Sequence, residues 1–195
     1  MTTTPRASND ARPYHHGDLP RALLEAAVEA IAEGGPAAVS LRDLARRAGV
    51  SHAAPAHHFG DKAGLLTAVA ADGFRRLAAT LGETYEATGS FLEVGVAYVR
   101  FAVTHRAHFE VMFRPELYRT DDPELVRARD AARALLYPPA AEAHNSPDDG
   151  GDVRAGVAAW SLVHGLATLW LNQNLPPELG DDPEQIAREV AHYLF

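Results

Sequence analysis

The sequence predicts an all-α protein of about nine helices, with a three-helix unit near the amino end and a larger helical domain after it. Apolar residues recur at spacings of three and four along most of the 195-residue chain, which is the period of a helix with one buried face. Asp122-Pro123-Glu124 and Asp182-Pro183-Glu184 each combine an Asp cap, a first-turn Pro and an acid, and so indicate helix starts. We find no convincing strand pattern and no internal repeat.

Composition excludes several classes of protein. Apolar residues make up 47% and charged residues 23% of the chain, as in folded globular proteins. No apolar stretch reaches the roughly 18 residues that a membrane span needs, and residues 1–13 lack the apolar core of a signal peptide. With no cysteine, the chain has no disulfide, thiolate zinc site or cysteine nucleophile. We therefore expect a cytoplasmic protein with no membrane partner and no cofactor.

Charge divides the chain into two parts. Seven of the 18 basic and seven of the 26 acidic groups lie in residues 1–62, together with five of the ten histidines. The net charge of −8 therefore belongs entirely to the remainder. Because a polyanion repels negative charge, only the amino-terminal part is suited to contact with nucleic acid.

The first predicted helix follows a polar arm. Residues 1–16 are rich in Thr, Pro and Arg, lack periodicity, and are predicted to be flexible. Asp18 is the predicted N-cap of the helix, and Pro20 lies in its first turn. Gly34-Gly35-Pro36 ends the apolar stripe that follows.

Two short helices joined by a tight turn come next. Ser40 is the predicted cap of the second helix and Ser51 of the third, and Ala48-Gly49-Val50 forms the turn between them. Gly49 can take a positive φ, and Val50 can anchor the turn between the helices. A helix-turn-helix needs this arrangement to lay its second helix in the major groove. From these residues alone, DNA binding and an ordinary helical hairpin are about equally favoured.

The larger domain continues the helical pattern. Asp61 is the predicted cap of a fourth helix whose apolar stripe weakens at Gly82 and Gly89. Residues 91–103 are apolar nearly all round, which favours a helix at the centre of a bundle, and residues 153–171 are similar. Prolines and loop residues separate the later helices at three places: Pro138-Pro139, residues 145–151 and Pro176-Pro177.

Several groups of residues resemble the signature of the TetR family of repressors. They are Leu41–Ser51, His58-Phe59, Asp61-Lys62 and Leu65-Leu66. The resemblance covers roughly residues 14–77 and includes helix lengths, turn and the His-Phe…Lys…Leu-Leu ending. Trp160 and His164-Gly165 are similar to a subgroup named for a Trp-His-Gly motif.

The resemblance implies a one-component transcriptional regulator, most often a repressor. Such a protein binds a palindromic DNA operator as a homodimer and is released by a small, mostly apolar effector. The implied domains are a flexible arm over residues 1–16, a helix-turn-helix domain over residues 17–62, and an effector-binding and dimerisation domain over residues 63–195.

Carried over by position, the resemblance implies a set of DNA-contacting residues. They are Ser40, Arg42, Ser51, His52, Ala53, His57, His58 and Lys62. Ser40 and Lys62 would meet phosphates, and the Arg42 guanidinium suits the O6 and N7 of a guanine. His58 could instead be a packing residue. Arg46 and Arg47, on the outer face of the second helix, could be DNA contacts or solvated charges.

Ala56 departs from the family pattern. The family usually has a tyrosine two residues before the His of His-Phe, where the hydroxyl meets a phosphate. Ala56 has no such donor, so we expect one backbone contact to be missing.

The second domain has residues suited to a ligand pocket, although each could alternatively be a core residue. They are Phe101, His105, Phe109, Met112, Phe113, Tyr137, Trp160 and His164. An apolar pocket needs a few polar groups to orient its ligand, and His164 is the first candidate. By resemblance, residues 153–171 and 183–194 of two chains form a four-helix dimer interface. Its candidate contacts are Leu162, Leu169, Ile186, Val190 and Tyr193.

Three other functions are less favoured. An enzyme is not expected, because the chain lacks a phosphate-cradling glycine loop, a Gly-x-Ser-x-Gly elbow and a His-Glu-x-x-His helix. His15-His16, His57-His58 and the His105/His108 pair could bind a transition metal, but no carboxylate lies at a matching offset, so no metal site is predicted. A helical adaptor with no DNA role is the third alternative.

Overall fold

The computed structural model describes residues 19–137 and 153–192, and within these ranges it contains nine α-helices, two 3-10 turns and no strand. The helices are α1 (Leu19–Ala38), α2 (Leu41–Arg47), α3 (Ala54–Phe59), α4 (Lys62–Thr88), α5 (Phe91–Thr104), α6 (Arg106–Met112), α7 (Pro123–Ala134), α8 (Val153–Leu171) and α9 (Pro183–His192). The 3-10 turns span Pro115–Leu117 and Pro177–Leu179. The all-α prediction is confirmed.

Some predicted features lie outside the described residues. They are the arm over residues 1–16, the Asp18 cap, the break at Pro138-Pro139, the loop over residues 145–151, and Tyr193.

The first three helices form a small unit around a shared apolar core. Leu23 and Ile31 of α1 and Leu44 of α2 are buried. Gly35 interrupts α1 with a positive φ of 73°, and Pro36 follows it, so the predicted end of the regular helix is confirmed. The turn between α2 and α3 also needs a glycine, because Gly49 has a φ of 66°.

The two serine caps predicted for α2 and α3 are not formed. Ser40 occupies the N-cap position of α2, but its side chain makes no capping hydrogen bond. The third helix begins at Ala54, so its N-cap is Ala53 and not Ser51. Pro55 explains the shift, because a residue without an N–H is best tolerated in the first turn. The Ser51 carbonyl instead accepts from the Ala54 N–H at 3.0 Å in a preceding turn.

The long helix α4 is the central element, and it packs against α1, α5, α6 and α7. Asp61 caps it as predicted, with its carboxylate accepting from the Gly64 N–H at 2.9 Å. The buried stripe of α4 ends at Leu81, but the helix itself continues through Gly82 to Thr88 and ends at Gly89, which has a φ of 60°. Buried Leu77 and Leu81 precede Gly82, so core packing outweighs the low helix propensity of one glycine.

The remaining helices form the rest of the bundle. The fifth is buried on most sides, as predicted, and a break at His105 separates it from α6. Phe109 and Met112 therefore lie on a separate short helix. The predicted caps Asp122 and Asp182 accept from backbone N–H groups at 2.9–3.2 Å. None of the described helices has the length and apolar character needed to cross a bilayer.

Candidate DNA-binding surface and effector pocket

The predicted DNA-contacting residues on α2, α3 and the adjoining turns are exposed, and Lys62 at the start of α4 is half-buried. Pro55 is buried and Phe59 packs against the core, and these contacts fix the orientation of α3. Its outward side then presents Ala56, His57 and His58 to solvent. The other exposed candidates are Ser40, Arg42, Ser51, His52 and Ala53.

Lys62 has an intrachain partner that sequence reasoning missed. Its Nζ donates to the Ala37 carbonyl at 2.8 Å, which ties the start of α4 to the end of α1. An ammonium has three donors, so this hydrogen bond leaves two for a phosphate. The contact joins residues 25 positions apart, and no local pattern signals it.

A charge network fixes α2 to α1. Arg47 donates to both carboxylate oxygens of Glu33, at 2.9 and 2.7 Å, and to Asp43 at 2.6 Å. Arg46 pairs with the same Asp43. Hydrogen bonds from Arg47 lower the pKa of Glu33 and of Asp43, so both carboxylates stay charged at neutral pH. Arg46 and Arg47 thus form intrachain ion pairs, whereas the sequence suggested either DNA contacts or solvated charges.

A polar cluster lies between α5 and α8 in the larger domain. Trp160 Nε1 donates to the Tyr98 hydroxyl oxygen at 3.1 Å, and that hydroxyl lies 2.9 Å from His164 Nδ1. Because its oxygen accepts from Trp160, the Tyr98 proton can be donated to an unprotonated Nδ1. Burial lowers the pKa of His164 and raises that of Tyr98, so both groups are neutral at pH 7.

Tyr98 is the residue of this cluster that sequence reasoning missed. It lies in the apolar helix α5 and is fully buried. Its own hydroxyl was the only local signal, because residues 91–103 are apolar nearly all round. His164 also contacts Phe109 and Phe113, with ring centroids 5.3 and 4.6 Å apart, so the aromatic residues predicted near it do meet it.

A cavity of about 220 Å³ lies beside this cluster, between α4, α7 and α8. Four of the eight predicted ligand residues line it: Met112, Phe113, Tyr137 and Trp160. The other four are not in its lining. Phe109 and His164 contact Phe113 in its wall, and Phe101 stacks on His105 at a centroid distance of 4.6 Å. Arg129 and Tyr118 also line the cavity, and neither was predicted. Arg129 lies on α7, which resembles an ordinary charged surface helix.

A short segment connects the cavity to the DNA-binding unit. Tyr118, in the cavity wall, donates its hydroxyl proton to the Met112 carbonyl at 2.7 Å. The next residue, Arg119, donates its backbone N–H to Thr67 Oγ1 at 3.0 Å and its guanidinium to Asp61 at 2.9 Å. Because Asp61 caps α4 directly after α3, the cavity wall and the recognition helix share a connected set of contacts.

The predicted dimer contacts differ in exposure. Leu169 is 45% exposed on α8, whereas Leu162 and Val190 are half-buried. Ile186 is only 1% exposed and lies in the chain's own core, so the prediction that it contacts a partner is wrong. Leu162 also borders a groove of about 330 Å³ between α5, α8 and α9.

The His105/His108 pair meets a carboxylate that the sequence did not suggest. His108 Nε2 lies 3.2 Å from Asp72 Oδ2, and Asp72 also accepts from Arg76 at 2.6 Å. Across the ranges that the structure describes, no three His, Asp or Glu side chains are grouped as metal ligands.

Comparison with known proteins places both halves of the chain in one family. Residues 91–194 match the model described as a tetracyclin repressor-like C-terminal domain, and residues 23–69 match that of the bacterial regulatory proteins of the tetR family. The chain belongs to the TetR family. Its amino-terminal part matches a family described as bacterial regulatory proteins.

Individual relatives agree with this assignment. The HTH-type transcriptional repressor Rv3405c of Mycobacterium tuberculosis is 42% identical over 69 residues, which cover 35% of this chain and 37% of the repressor. A solved structure of a Rhodococcus sp. RHA1 protein of unknown function is 34% identical, with a TM-score of 0.78, over 93% of this chain and 96% of that one. The TetR family regulator PfmR from Thermus thermophilus is 25% identical, with a TM-score of 0.61, over 88% and 95%.

Proposed function

We propose that this TetR family regulator is a ligand-responsive repressor that binds a palindromic operator as a homodimer and is released by a small, mostly apolar effector. The observation that carries the proposal is the orientation of α3. Its buried side holds Pro55, and its open side presents His57 and His58, with His52 and Ala53 just before its first turn. This surface suits insertion into the major groove.

In the proposed complex, one set of side chains would contact the bases and another would contact the DNA backbone. Arg42 would donate to a guanine edge, and His52 and Ala53 would face bases. Ser40, Ser51, His57, His58 and Lys62 would contact the backbone. We place the DNA-binding domain at residues 17–62 and the effector and dimerisation domain at residues 63–195.

The proposed effector site is the cavity next to the Tyr98–Trp160–His164 cluster. Its lining is mostly aromatic and aliphatic, with few polar groups, which suits a small apolar ligand. The contact of Trp160 with His164 also supports membership of the Trp-His-Gly subgroup. An effector would favour a state in which the segment at Tyr118-Arg119 shifts the start of α4, and the two recognition helices of the dimer no longer match the groove.

The test is binding to the DNA upstream of the chain's own gene, measured by footprinting at several salt concentrations without effector. A protected inverted repeat is the expected result. Arg42→Ala should weaken binding to it, whereas Arg106→Ala, exposed on α6 away from α3, should not. Weak binding that is equal for all sequences and vanishes with salt would contradict specific operator recognition.

A further inference from the structure

The charged side chains that line the cavity in the effector domain are all basic. Arg129 and Arg133, four residues apart on α7, both line it, and no carboxylate of the described residues does. This asymmetry is notable in a chain whose net charge of −8 lies beyond residue 62. Phe74, Phe113 and Trp160 form apolar parts of the same wall.

Arg129 has a buried donor without an acceptor. Its Nε is shielded from solvent and has no hydrogen-bond partner among the residues that the structure describes. Buried donors, and especially those on charged groups, are almost always paired, because leaving one unpaired is costly. An unpaired guanidinium N–H at a cavity wall is therefore suited to an acceptor supplied from outside the chain.

Glu116, whose charge acts on Tyr118 in this wall, already has a partner. Glu116 accepts from Arg114 at 3.1 Å. Tyr118 donates its only hydroxyl proton to the Met112 carbonyl at 2.7 Å. Burial raises the pKa of Tyr118, against the opposing charge of Arg129, so its hydroxyl stays neutral and cannot balance the guanidinium.

We infer that this cavity binds a compact carboxylic acid whose carboxylate accepts a hydrogen bond from Arg129 Nε and whose apolar body lies against Phe113 and Trp160. The inference rests on the proposed effector function and names the chemical class of the effector. Arginine donors bind carboxylates strongly. A phosphate fits less well, because a dianion needs more donors than this mostly apolar wall supplies. The volume of about 220 Å³ lies below the roughly 300–1,000 Å³ of sites for drug-sized ligands, so a single-ring or short-chain acid is the right size.

Benzoate and its neutral analogue benzamide test the inference. Binding is followed by the fluorescence of Trp160 in a Trp170→Phe background, which confines the signal to the cavity wall. Benzoate should bind saturably and about tenfold or more tightly than benzamide. Arg129→Gln should weaken benzoate binding by about 10- to 100-fold and leave benzamide binding nearly unchanged. Arg127→Gln, exposed on the same helix, is the matched control and should change neither.

Several outcomes would overturn the inference. These are equal affinity for acid and amide in the parent protein, an unchanged preference for the acid in Arg129→Gln, or no saturable benzoate signal at millimolar concentrations. The comparison of acid and amide in the parent needs no variant, so a folding defect in Arg129→Gln cannot obscure it. Operator footprinting is done without effector, so its result tests the proposed function independently of the carboxylate site. A neutral compound that binds the cavity and releases the operator would keep the proposed function while rejecting the carboxylate site.

Discussion

On the outward side of α3, Ala56 stands where TetR family proteins usually carry a tyrosine, and it is exposed. Ala56→Tyr should tighten operator binding by about tenfold, because the hydroxyl can donate to a phosphate oxygen. The salt dependence should stay the same, since a neutral hydroxyl displaces no counterion. Titration of the footprinted operator at two salt concentrations measures both effects.

Ala56→Phe is the control for this substitution, because it adds the ring without the hydroxyl. If Phe and Tyr tighten binding equally, the gain comes from apolar contact. If neither does, the idea of a missing phosphate contact is wrong.

The half-buried His164 predicts a pH dependence of stability. Burial lowers its pKa below the usual 6.5, so between the folded and unfolded pKa values the unfolded state binds more protons. The free energy of unfolding should therefore fall as the pH drops from 7 to 5. Burial also lowers the pKa of His105, which acts in the same direction. In His164→Gln the fall should be smaller, as measured by urea unfolding at both pH values.

His57→Gln provides the comparison, because it replaces a histidine that is exposed on α3. It should keep the pH dependence of the parent. A fall of the same size in His164→Gln as in the parent would exclude His164 as the source.

The polar residues of the effector domain were only partly predictable. His164 and Trp160 stand out in an apolar stretch, and the structure brings them together. Tyr98 did not stand out, because it lies in a stretch that is apolar nearly all round, and such a stretch is treated as core. The prediction for Ile186 was wrong for a different reason. An apolar position on an amphipathic helix looks the same whether it packs on its own chain, as Ile186 does, or on a partner.

Two glycines of α4 make a matched pair. A Cβ on Gly73 would lie 2.5 Å from Met112 Sδ and 3.1 Å from His108 Cβ, whereas on Gly82 its nearest neighbour would be Leu135 Cδ1 at 3.8 Å. Gly73→Ala should therefore destabilise the fold by about 1–3 kcal/mol, because it forces α4 and α6 apart. Gly82→Ala should stabilise it by up to about 1 kcal/mol through helix propensity.

Denaturant unfolding of both variants checks this pair. The two changes are identical in chemistry and lie in one helix, so they differ only in the space available. Stabilisation of both would mean that α6 can move away from α4 at little cost.

Helix existence was easier to predict than helix ends. Asp61, Asp122 and Asp182 signal their helices correctly, because the side chain itself makes the capping bond. Ser51 fails because Pro55 competes for the position of the first turn. The break at His105 has no proline or glycine beside it in the sequence Val-Thr-His-Arg. It depends on packing against other helices, which local sequence does not encode.

The proposed dimer can be tested at Leu169. Its exposed side chain on α8 belongs to the predicted interface, so Leu169→Glu should shift the protein to monomers. Operator affinity should fall with it, because one recognition helix reads only a few base pairs. Light scattering after gel filtration and operator titration measure the two effects.

Leu179→Glu is the control, because Leu179 is 40% exposed in a 3-10 turn outside the two helices of the proposed interface. It should remain dimeric. A dimeric Leu169→Glu would place the interface elsewhere, and a parent protein that is monomeric at operator-binding concentrations would contradict dimeric binding altogether.

Because α4 is long, a small tilt of this helix at the cavity produces a larger displacement at its amino end. Phe74 lines the effector cavity and lies twelve residues beyond Lys62, a distance of about 18 Å along the helix axis. If a ligand tilted α4 by about 10° around Phe74, the start of the helix would move by about 3 Å. That displacement is close to the rise of one base pair, about 3.4 Å. A tilt of this size would therefore displace each recognition helix by about one base pair relative to its half-site.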